Sequence, residues 1–270
     1  MTETLSAIVL GFVEGLTEFL PVSSTGHLIL VGQLIGFTGE KAASFDIIIQ
    51  LGAILSVMVL YWQRFWWLLS PKPLHPFSGV RGLWLLFLTS LPASVVGLLA
   101  HTAIKTHLFG PVTVAMALAV GALMIFWVER RHGRDRFYEL DEMTPGLAFG
   151  IGWFQCLALW PGFSRSAATI MGGMLLGAKR SLAAEYSFIA AVPIMFAATL
   201  FDFFKNASLF SRDDLGILAI GFVVSFLSAL LAVKVFILLV KRISLVPFAW
   251  YRLVLAGVVG WIWFRHGFGL

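Results

Sequence analysis

Apolar residues in this chain run on in long stretches and do not alternate with polar ones. Six such stretches, at about residues 45–63, 83–100, 111–128, 185–203, 215–240 and 247–264, come close to the roughly 20 residues a helix needs to cross about 30 Å of hydrocarbon. Continuous runs of this length predict transmembrane helices rather than the short alternating strands of a barrel. Two further apolar regions, about 5–35 and 145–177, depart from the pattern, because a proline and a run of hydroxyl residues interrupt each near its middle. The first breaks at LPVSSTG (Leu20 to Gly26) and the second at WPGFSRS (Trp160 to Ser166). Lipid cannot satisfy the amides and carbonyls that a broken helix frees, so each break must be buried in protein or line a wet cavity. The pattern predicts two re-entrant helix hairpins, each leaving the membrane on the side it came from.

The two broken regions resemble one another. A shift of 140 residues lays Pro21 on Pro161 and Ser24 on Ser164, and each break lies a little over ten residues before a glycine, Gly36 or Gly177. Three predicted spans follow each hairpin. This reads as an internal duplication within one integral membrane domain, with repeat 1 at about 1–130 and repeat 2 at about 144–270. An odd number of crossings per unit inserts the second copy upside down, as in many transport folds. The expected fold is an all-α polytopic membrane protein with an inverted-topology repeat, each half a re-entrant helix hairpin plus three transmembrane helices.

Composition agrees. Of 270 residues 59% are hydrophobic and 12% charged, with a mean hydropathy of +0.92, whereas soluble domains carry roughly 25% charged residues. Met1 to Gly11 has no basic segment and its first charge is Glu3, so no cleaved signal peptide is expected. The single cysteine, Cys156, excludes an internal disulfide and a cysteine metal cluster. The net charge of +5 does not point to nucleic acid, because in a membrane chain basic excess follows topology. One side would carry Arg64, Lys72, Arg81, Arg130, Arg131, Arg134, Arg136, Lys179, Arg180, Lys241, Arg242 and Arg252. The other would carry Lys41, Lys105, Lys205, Arg212 and Arg265. By the positive-inside rule the richer side is cytoplasmic and both termini lie outside. The hairpins then enter from opposite faces and their polar tips meet near the midplane. The longest loops, about 64–82 and 129–144, are too short to fold alone.

The breaks carry the chemistry. Glu14 and Glu18 are four residues apart on a segment expected to be helical up to Pro21, so both carboxylates lie on one face. Two ionised acids that close repel unless a divalent cation, a shared proton or an arginine lies between them. Intramembrane acids are expensive and usually functional. Ser23, Ser24 and Thr25 are suited to cap the helix after Pro21, whose free amides favour an anion. His27, within one turn of that helix start, is a candidate acid, base or nucleophile. Arg165, in GFSRSAAT (Gly162 to Thr169), brings a fork of donors suited to phosphate oxygens, or a partner for Glu14 or Glu18. Acids and imidazole in one copy and guanidinium in the other argue for a reaction site. Two helix N-termini, an arginine and an acid-held metal would receive a diphosphate.

Other motifs fit less well. PGFSRS lacks the GxxxxGK[ST] spacing of a nucleotide-binding loop. SSTGH and FSRS have a distant likeness to lipid phosphatases of the phosphatidic-acid phosphatase type, which need a histidine six residues beyond the arginine. This chain has Met171 there. Asp46, Gln50 and Glu185, at the starts of spans, are read as interfacial residues rather than supports of the site. Lys234 is expected to snorkel or to pair within the bundle, and ERRHGRDRFYELDE (Glu129 to Glu142) to be a cytoplasmic loop.

GFVEGLTEFLPVSSTGHLIL together with QCLALWPGFSRSAATIMGGMLLG, and KRISLVPFAWYR near the end, resembles the undecaprenyl-diphosphate phosphatase family, also called the bacitracin-resistance phosphatases. The resemblance covers essentially the whole chain. It implies removal of the terminal phosphate of undecaprenyl diphosphate, regenerating the monophosphate carrier lipid of bacterial cell-wall synthesis. It further implies a divalent cation (Mg2+ or Ca2+) and a site opening toward the outer face of the bacterial cytoplasmic membrane. By position, Glu14 and Glu18 match the family's acidic pair, Ser23, Ser24 and Thr25 its hydroxyl run, and His27 its histidine. Ser164, Arg165 and Ser166 match its second motif, and Thr169 joins them as a substrate contact. In the expected mechanism Ser24 attacks the terminal phosphorus and Glu18 holds the metal or takes the hydroxyl proton. Glu14 fixes the metal, Arg165 stabilises charge, and His27 protonates the leaving phosphate or activates water. Attack by His27 or by water stays open at this stage, as does the oligomeric state, a homodimer included. The rival reading is a transporter or flippase of polyprenyl phosphate.

Overall fold

The computed structural model describes residues 2–70, 75–108, 110–206 and 214–266. In chain order its helices are α1 (Glu3–Thr17), α2 (Ser24–Ile35), α3 (Glu40–Leu60), α4 (Trp62–Leu69), α5 (Gly79–His107), α6 (Pro111–Arg131), α7 (Pro145–Gln155), α8 (Arg165–Leu175), α9 (Arg180–Asn206), α10 (Leu215–Val240) and α11 (Val246–His266). Short 3₁₀ turns occupy Leu140–Glu142 and Cys156–Leu159. Six helices, α3, α5, α6, α9, α10 and α11, are long and apolar enough to cross a membrane. They contain the six predicted spans apart from ragged ends, and no strand is present among the described residues. The fold is that of an all-α polytopic membrane protein.

The helices bury one stripe and leave the other apolar as well, which is what a bilayer rather than water selects. Leu98, Leu231 and Val254 are exposed on α5, α10 and α11. Val57, Ile125, Ile151, Ile170, Ile189 and Val233, from six different helices, belong to one buried cluster. Between helices in lipid, close packing replaces the hydrophobic effect as the attraction, and small residues permit it. Gly11 and Gly15 form a GxxxG stripe on α1, laid against α10. A Cβ on Gly11 would stand 2.5 Å from the Gly221 carbonyl oxygen, and one on Gly15 would overlap Ser228. This tight seam fixes the axis of α1 and with it the direction of Glu14 and Glu18.

Both broken regions are helix–break–helix segments, with one correction of register. α1 ends just before Pro21 and α2 restarts at Ser24; α7 and its 3₁₀ extension end before Pro161 and α8 restarts at Arg165. Ser23 and Ser164 cap the restarted helices with positive φ, 73° and 78°. Each accepts a hydrogen bond at 3.3 Å from the amide three residues on, Gly26 or Ala167. Gly36 and Gly177 close the two segments, also with positive φ. Ser23 pairs with Ser164, and Gly36 with Gly177, at an offset of 141 rather than 140. At that offset the breaks match without a gap: Pro21 stands opposite Gly162 and Leu20 opposite Pro161, so the second proline comes one position earlier. The counterpart of Ser24 is therefore Arg165, not Ser164.

Charge placement is corrected too. Arg252, assigned to the basic side, is buried two turns into α11 with 0% exposure. Lys72 and Arg212, and the side chains of Lys105 and Lys205, lie outside the described residues. The 129–142 segment is more than a solvated loop. Glu129 accepts from Arg180 Nε at 3.0 Å and Nη2 at 2.7 Å and from the Leu245 amide, tying the end of α6 to α9 and to the α10–α11 turn. Asp141 accepts from the Phe77 amide, Phe137 bridges to Ala178, and Arg64 lies 3.6 Å from Asp141. These contacts gather most of the basic residues at one end of the bundle. Lys234 is exposed on the outer face of α10, where a long stem suits snorkelling.

Candidate active site

α1 delivers Glu14 in its last turn and Glu18 at its C-cap. Both carboxylates are buried, at 1% and 8% exposure, and they face two adjoining cavities. Glu18 lines a cavity of about 350 Å³ together with Ser23, Ser24, Thr25, Ser164 and Arg165. Glu14 lines a smaller one of about 160 Å³ with Asp46 and Ile47 of α3. Ser24, Thr25 and Gln50 border both, so the two spaces form one continuous polar region around the start of α2.

A chain of short contacts crosses the larger cavity. Ser24 Oγ donates to Glu18 Oε2 at 2.5 Å. The other oxygen, Oε1, stands 3.4 Å from Arg165 Nη2. Arg165 also donates from Nη1 to the Ser187 carbonyl at 2.9 Å and lies over the Phe19 ring at 5.5 Å. Its Nε is buried without a partner. The serine hydroxyl, the carboxylate and the guanidinium therefore stand in one line, and both restarted helices aim their free N-terminal amides at the same space.

Not every predicted residue lines it. Ser166 is fully buried and donates to the Leu20 carbonyl at 2.7 Å, binding the second break to the first. Thr169 bonds Ser187 Oγ at 2.7 Å behind Arg165. These two support the walls rather than face the cavity. His27 lines neither cavity. Its Nδ1 is 2.7 Å from the Ser23 carbonyl, and its Nε2 is 2.6 Å from the Tyr251 hydroxyl. A carbonyl can only accept, so Nδ1 carries the proton and Nε2 accepts from Tyr251. Both nitrogens are occupied in holding the Ser23 turn against α11.

Other residues reach the site that the sequence reading set aside or missed. Asp46 and Gln50 line the cavities rather than an interface. Their four-residue spacing on a helix, the same as that of Glu14 and Glu18, was the available signal. Glu185 stays peripheral, within electrostatic reach of Arg64 and Lys241. Gln155, at an offset of 141 from Glu14, lines the cavity with a buried, unpartnered Oε1, while its amide nitrogen reaches the Thr89 carbonyl at 3.4 Å. Ser187 carried no local motif, and Tyr251 and Arg252 close the KRISLVPFAWYR stretch without having been singled out within it.

The donor set suits a hard cation. Both oxygens of Glu14 and Oδ1 of Asp46 are buried with no hydrogen-bond partner, and every polar side chain lining the smaller cavity offers oxygen. No three His, Cys, Asp or Glu side chains among the described residues are gathered as a complete metal cage. Two carboxylates with hydroxyl and amide oxygens nearby match the way Mg2+ is held, by few protein ligands completed by water and substrate phosphate.

The family model described as bacitracin resistance protein BacA matches residues 7–258. A protein of Solidesulfovibrio magneticus named undecaprenyl-diphosphatase is 76% identical over 97% of this chain and 99% of its own length. Relatives of the same name from Maridesulfovibrio salexigens and Lawsonia intracellularis are 68% and 56% identical, covering 97% and 93% of this chain and 100% and 95% of their own.

Proposed function

The chain belongs to the bacitracin resistance protein BacA family, and on that footing we propose that it hydrolyses the terminal phosphate of undecaprenyl diphosphate. The products are inorganic phosphate and the undecaprenyl phosphate carrier lipid, whose release counters bacitracin. The observation that carries the chemistry is the line Ser24, Glu18, Arg165. Glu18 Oε2, at 2.5 Å from Ser24 Oγ, takes the hydroxyl proton as Oγ attacks the terminal phosphorus. The new Oγ–P bond forms as the bridging P–O bond breaks, and undecaprenyl phosphate leaves. Arg165 turns from Glu18 to the transferring phosphoryl oxygens, joined by the amides of the α2 and α8 starts. Glu18 passes that proton to the leaving undecaprenyl phosphate; water then attacks the phosphoserine, Glu18 takes the water's proton and returns it to Ser24 Oγ as the Oγ–P bond breaks and inorganic phosphate leaves. His27 is assigned the task of holding the Ser23 turn.

A divalent cation held by Glu14 and Asp46, beside Glu18 and the Ser24 and Thr25 hydroxyls, would supply charge neutralisation for the diphosphate. From the sequence Glu14 and Glu18 were the expected ligands; Asp46 joins them because its Oδ1 is buried without a hydrogen-bond partner. The tail of the substrate has a matching path. An apolar groove of about 690 Å³ runs between α5 and α9, and its lining shares Ala93, Ile194 and Ala198 with the polar cavity. A headgroup in the cavity can thus continue into a lipid-facing groove.

The halves pack reciprocally, α1 on α10 and α7 on α5, α3 on α9 and α6 on α11, which supports the inverted repeat. Basic residues gathered at one end of the bundle support a cytoplasmic position for that end in the inner membrane, with the cavity opening toward the outer face.

Phosphate release from undecaprenyl diphosphate by the purified protein tests the reading. Wild type releases phosphate in detergent, where no gradient exists, and rapid quenching recovers phosphoserine at Ser24. A protein that moved lipid across vesicles without releasing phosphate would be a carrier instead. Near-normal turnover by Ser24→Ala would remove the serine from the chemistry.

A further inference from the structure

Arg252 is the largest fully buried side chain described in the protein, and no carboxylate pairs with it among the salt bridges of the described residues. An arginine inside a membrane bundle is expensive, and here its charge is met only by carbonyl oxygens. Nε donates to Leu118, Nη1 to Pro21, and Nη2 to both Ala117 and Gly162, each at 3.2 Å. Two acceptors belong to α6. The other two belong to the two breaks, and they are equivalent: Pro21 lies two residues before the positive-φ cap Ser23, and Gly162 two residues before the positive-φ cap Ser164. One planar fork therefore reads the same carbonyl in both halves of the site.

Those carbonyls are among the groups that a broken helix frees and lipid cannot satisfy. Joining them through one rigid guanidinium fixes the distance between the two turns. The turns in turn set Ser24, directly after Ser23, and Arg165, directly after Ser164. The space for the fork is prepared by the sequence. A Cβ on Gly121 would stand 2.1 Å from Nη2, and a Cβ on Gly162 would stand 2.7 Å from the Val114 carbonyl. Phe163 lies under the guanidinium at 5.9 Å. The neighbouring Tyr251 holds His27 on the Ser23 turn, so consecutive residues of α11 grip the first break twice.

We propose that Arg252 is a positioning residue of the phosphatase reaction, which holds the Ser24 and Arg165 helix starts in catalytic register through the Pro21 and Gly162 carbonyls without touching the substrate. The proposal rests on the phosphatase reading above. A displacement of about 1 Å between reacting groups costs on the order of 100-fold in rate, so loss of the fork acts on kcat. Substrate affinity, set by the cavity and the tail groove, changes little.

The test is steady-state hydrolysis of undecaprenyl diphosphate by the purified full chain in detergent, with thermal unfolding of each variant measured alongside. Arg252→Met is expected to lower kcat by about 100-fold with KM within about 3-fold, and Arg252→Lys to recover part of the loss through its fewer donors. Gly121→Ala keeps the charge and crowds the fork, and is expected to lower kcat by about 10-fold, again with KM held. This second variant decides the matter if Arg252→Met does not fold. Folded variants with wild-type kcat, a change confined to KM, or a kcat loss that only follows the folded fraction would each overturn the proposal. Failure of the phosphatase reading is distinct, because wild type itself would then release no phosphate.

Discussion

Removing the proton acceptor and the nucleophile together should cost no more than removing one of them. Ser24 Oγ and Glu18 Oε2 are 2.5 Å apart, and neither is expected to work without the other: an uncharged acceptor leaves the hydroxyl a weak nucleophile, and without the hydroxyl the carboxylate has no proton to take. General-base removal costs about 10²–10⁴ in rate, so Glu18→Gln and Ser24→Ala should each lose about 10³-fold in kcat. The double variant should stay within about 10-fold of the worse single one, an interaction of about 3 kcal/mol or more at 1.36 kcal/mol per tenfold. Glu18→Gln carries a second cost, because Arg165 loses its counter-charge. Breaking a buried pair costs about 3–5 kcal/mol; here Arg165 keeps the Ser187 carbonyl at 2.9 Å, and the amide can still accept, which places the loss nearer about 2 kcal/mol. Single-turnover phosphate release measures the first effect and thermal unfolding in detergent the second. If the losses of the two single variants multiply in the double variant, to about 10⁶-fold, the two side chains act independently and the serine–glutamate unit is refuted.

Four further outcomes follow from other parts of the molecule. Chelation with EDTA should stop phosphate release and Mg2+ or Ca2+ restore it, with Glu14→Gln raising the half-activating metal concentration about 10-fold; a Glu14→Gln enzyme with an unchanged metal curve argues against that ligand. Ala197→Trp, set in the apolar groove, should raise KM for the undecaprenyl substrate while leaving a short-chain prenyl diphosphate unaffected, and equal effects on both would place the tail elsewhere. Glu129→Ala removes the two-bond pair with Arg180 and the Leu245 contact, and should lower stability by about 2 kcal/mol with kcat unchanged when normalised to folded protein. Gly15→Val, which cannot fit against Ser228 and the Ser225 carbonyl, should abolish folded protein on size-exclusion chromatography, and a normally folded variant would show that the α1–α10 seam adapts.

The sequence made the local features legible and left the distant ones hidden. Span positions follow from the length of apolar runs, which hydrocarbon thickness dictates, and the breaks follow from proline beside hydroxyl residues. Glu18, Ser24 and Arg165 could be named because each sits in a polar island where lipid permits none without reason. Asp46 was misjudged because an acid at the start of a span looks alike whether it faces an interface or a cavity; its four-residue spacing to Gln50 was a hint, and the packing of α3 beside α1 decides it. Arg252 was counted among topological charges although it closes the KRISLVPFAWYR stretch, since its four acceptors come from three distant segments that the local sequence does not reveal. His27 was singled out by its place in a dense motif, but its two partners, the Ser23 carbonyl and the distant Tyr251 hydroxyl, could not be read from that motif.

The one-residue difference between the breaks changes how the two halves of the site relate. At an offset of 140 the serines Ser24 and Ser164 are counterparts, and the arginine is an addition beside a repeated serine. At the observed offset of 141, set by Ser23 and Ser164 and by Gly36 and Gly177, Ser24 and Arg165 hold the same position, the first residue of a helix restarted after a positive-φ serine. Glu14 and Gln155 are likewise counterparts. Two equivalent turns thus face one cavity, and substitution at matched positions separates their roles: hydroxyl against guanidinium, carboxylate against amide. A pair of carboxylates in each half would repel at close range, and a guanidinium in each would leave no nucleophile. The acidic and the basic half meet at 3.4 Å, the distance from Glu18 to Arg165, so a carboxylate able to take a proton and a guanidinium able to hold phosphate border the same cavity.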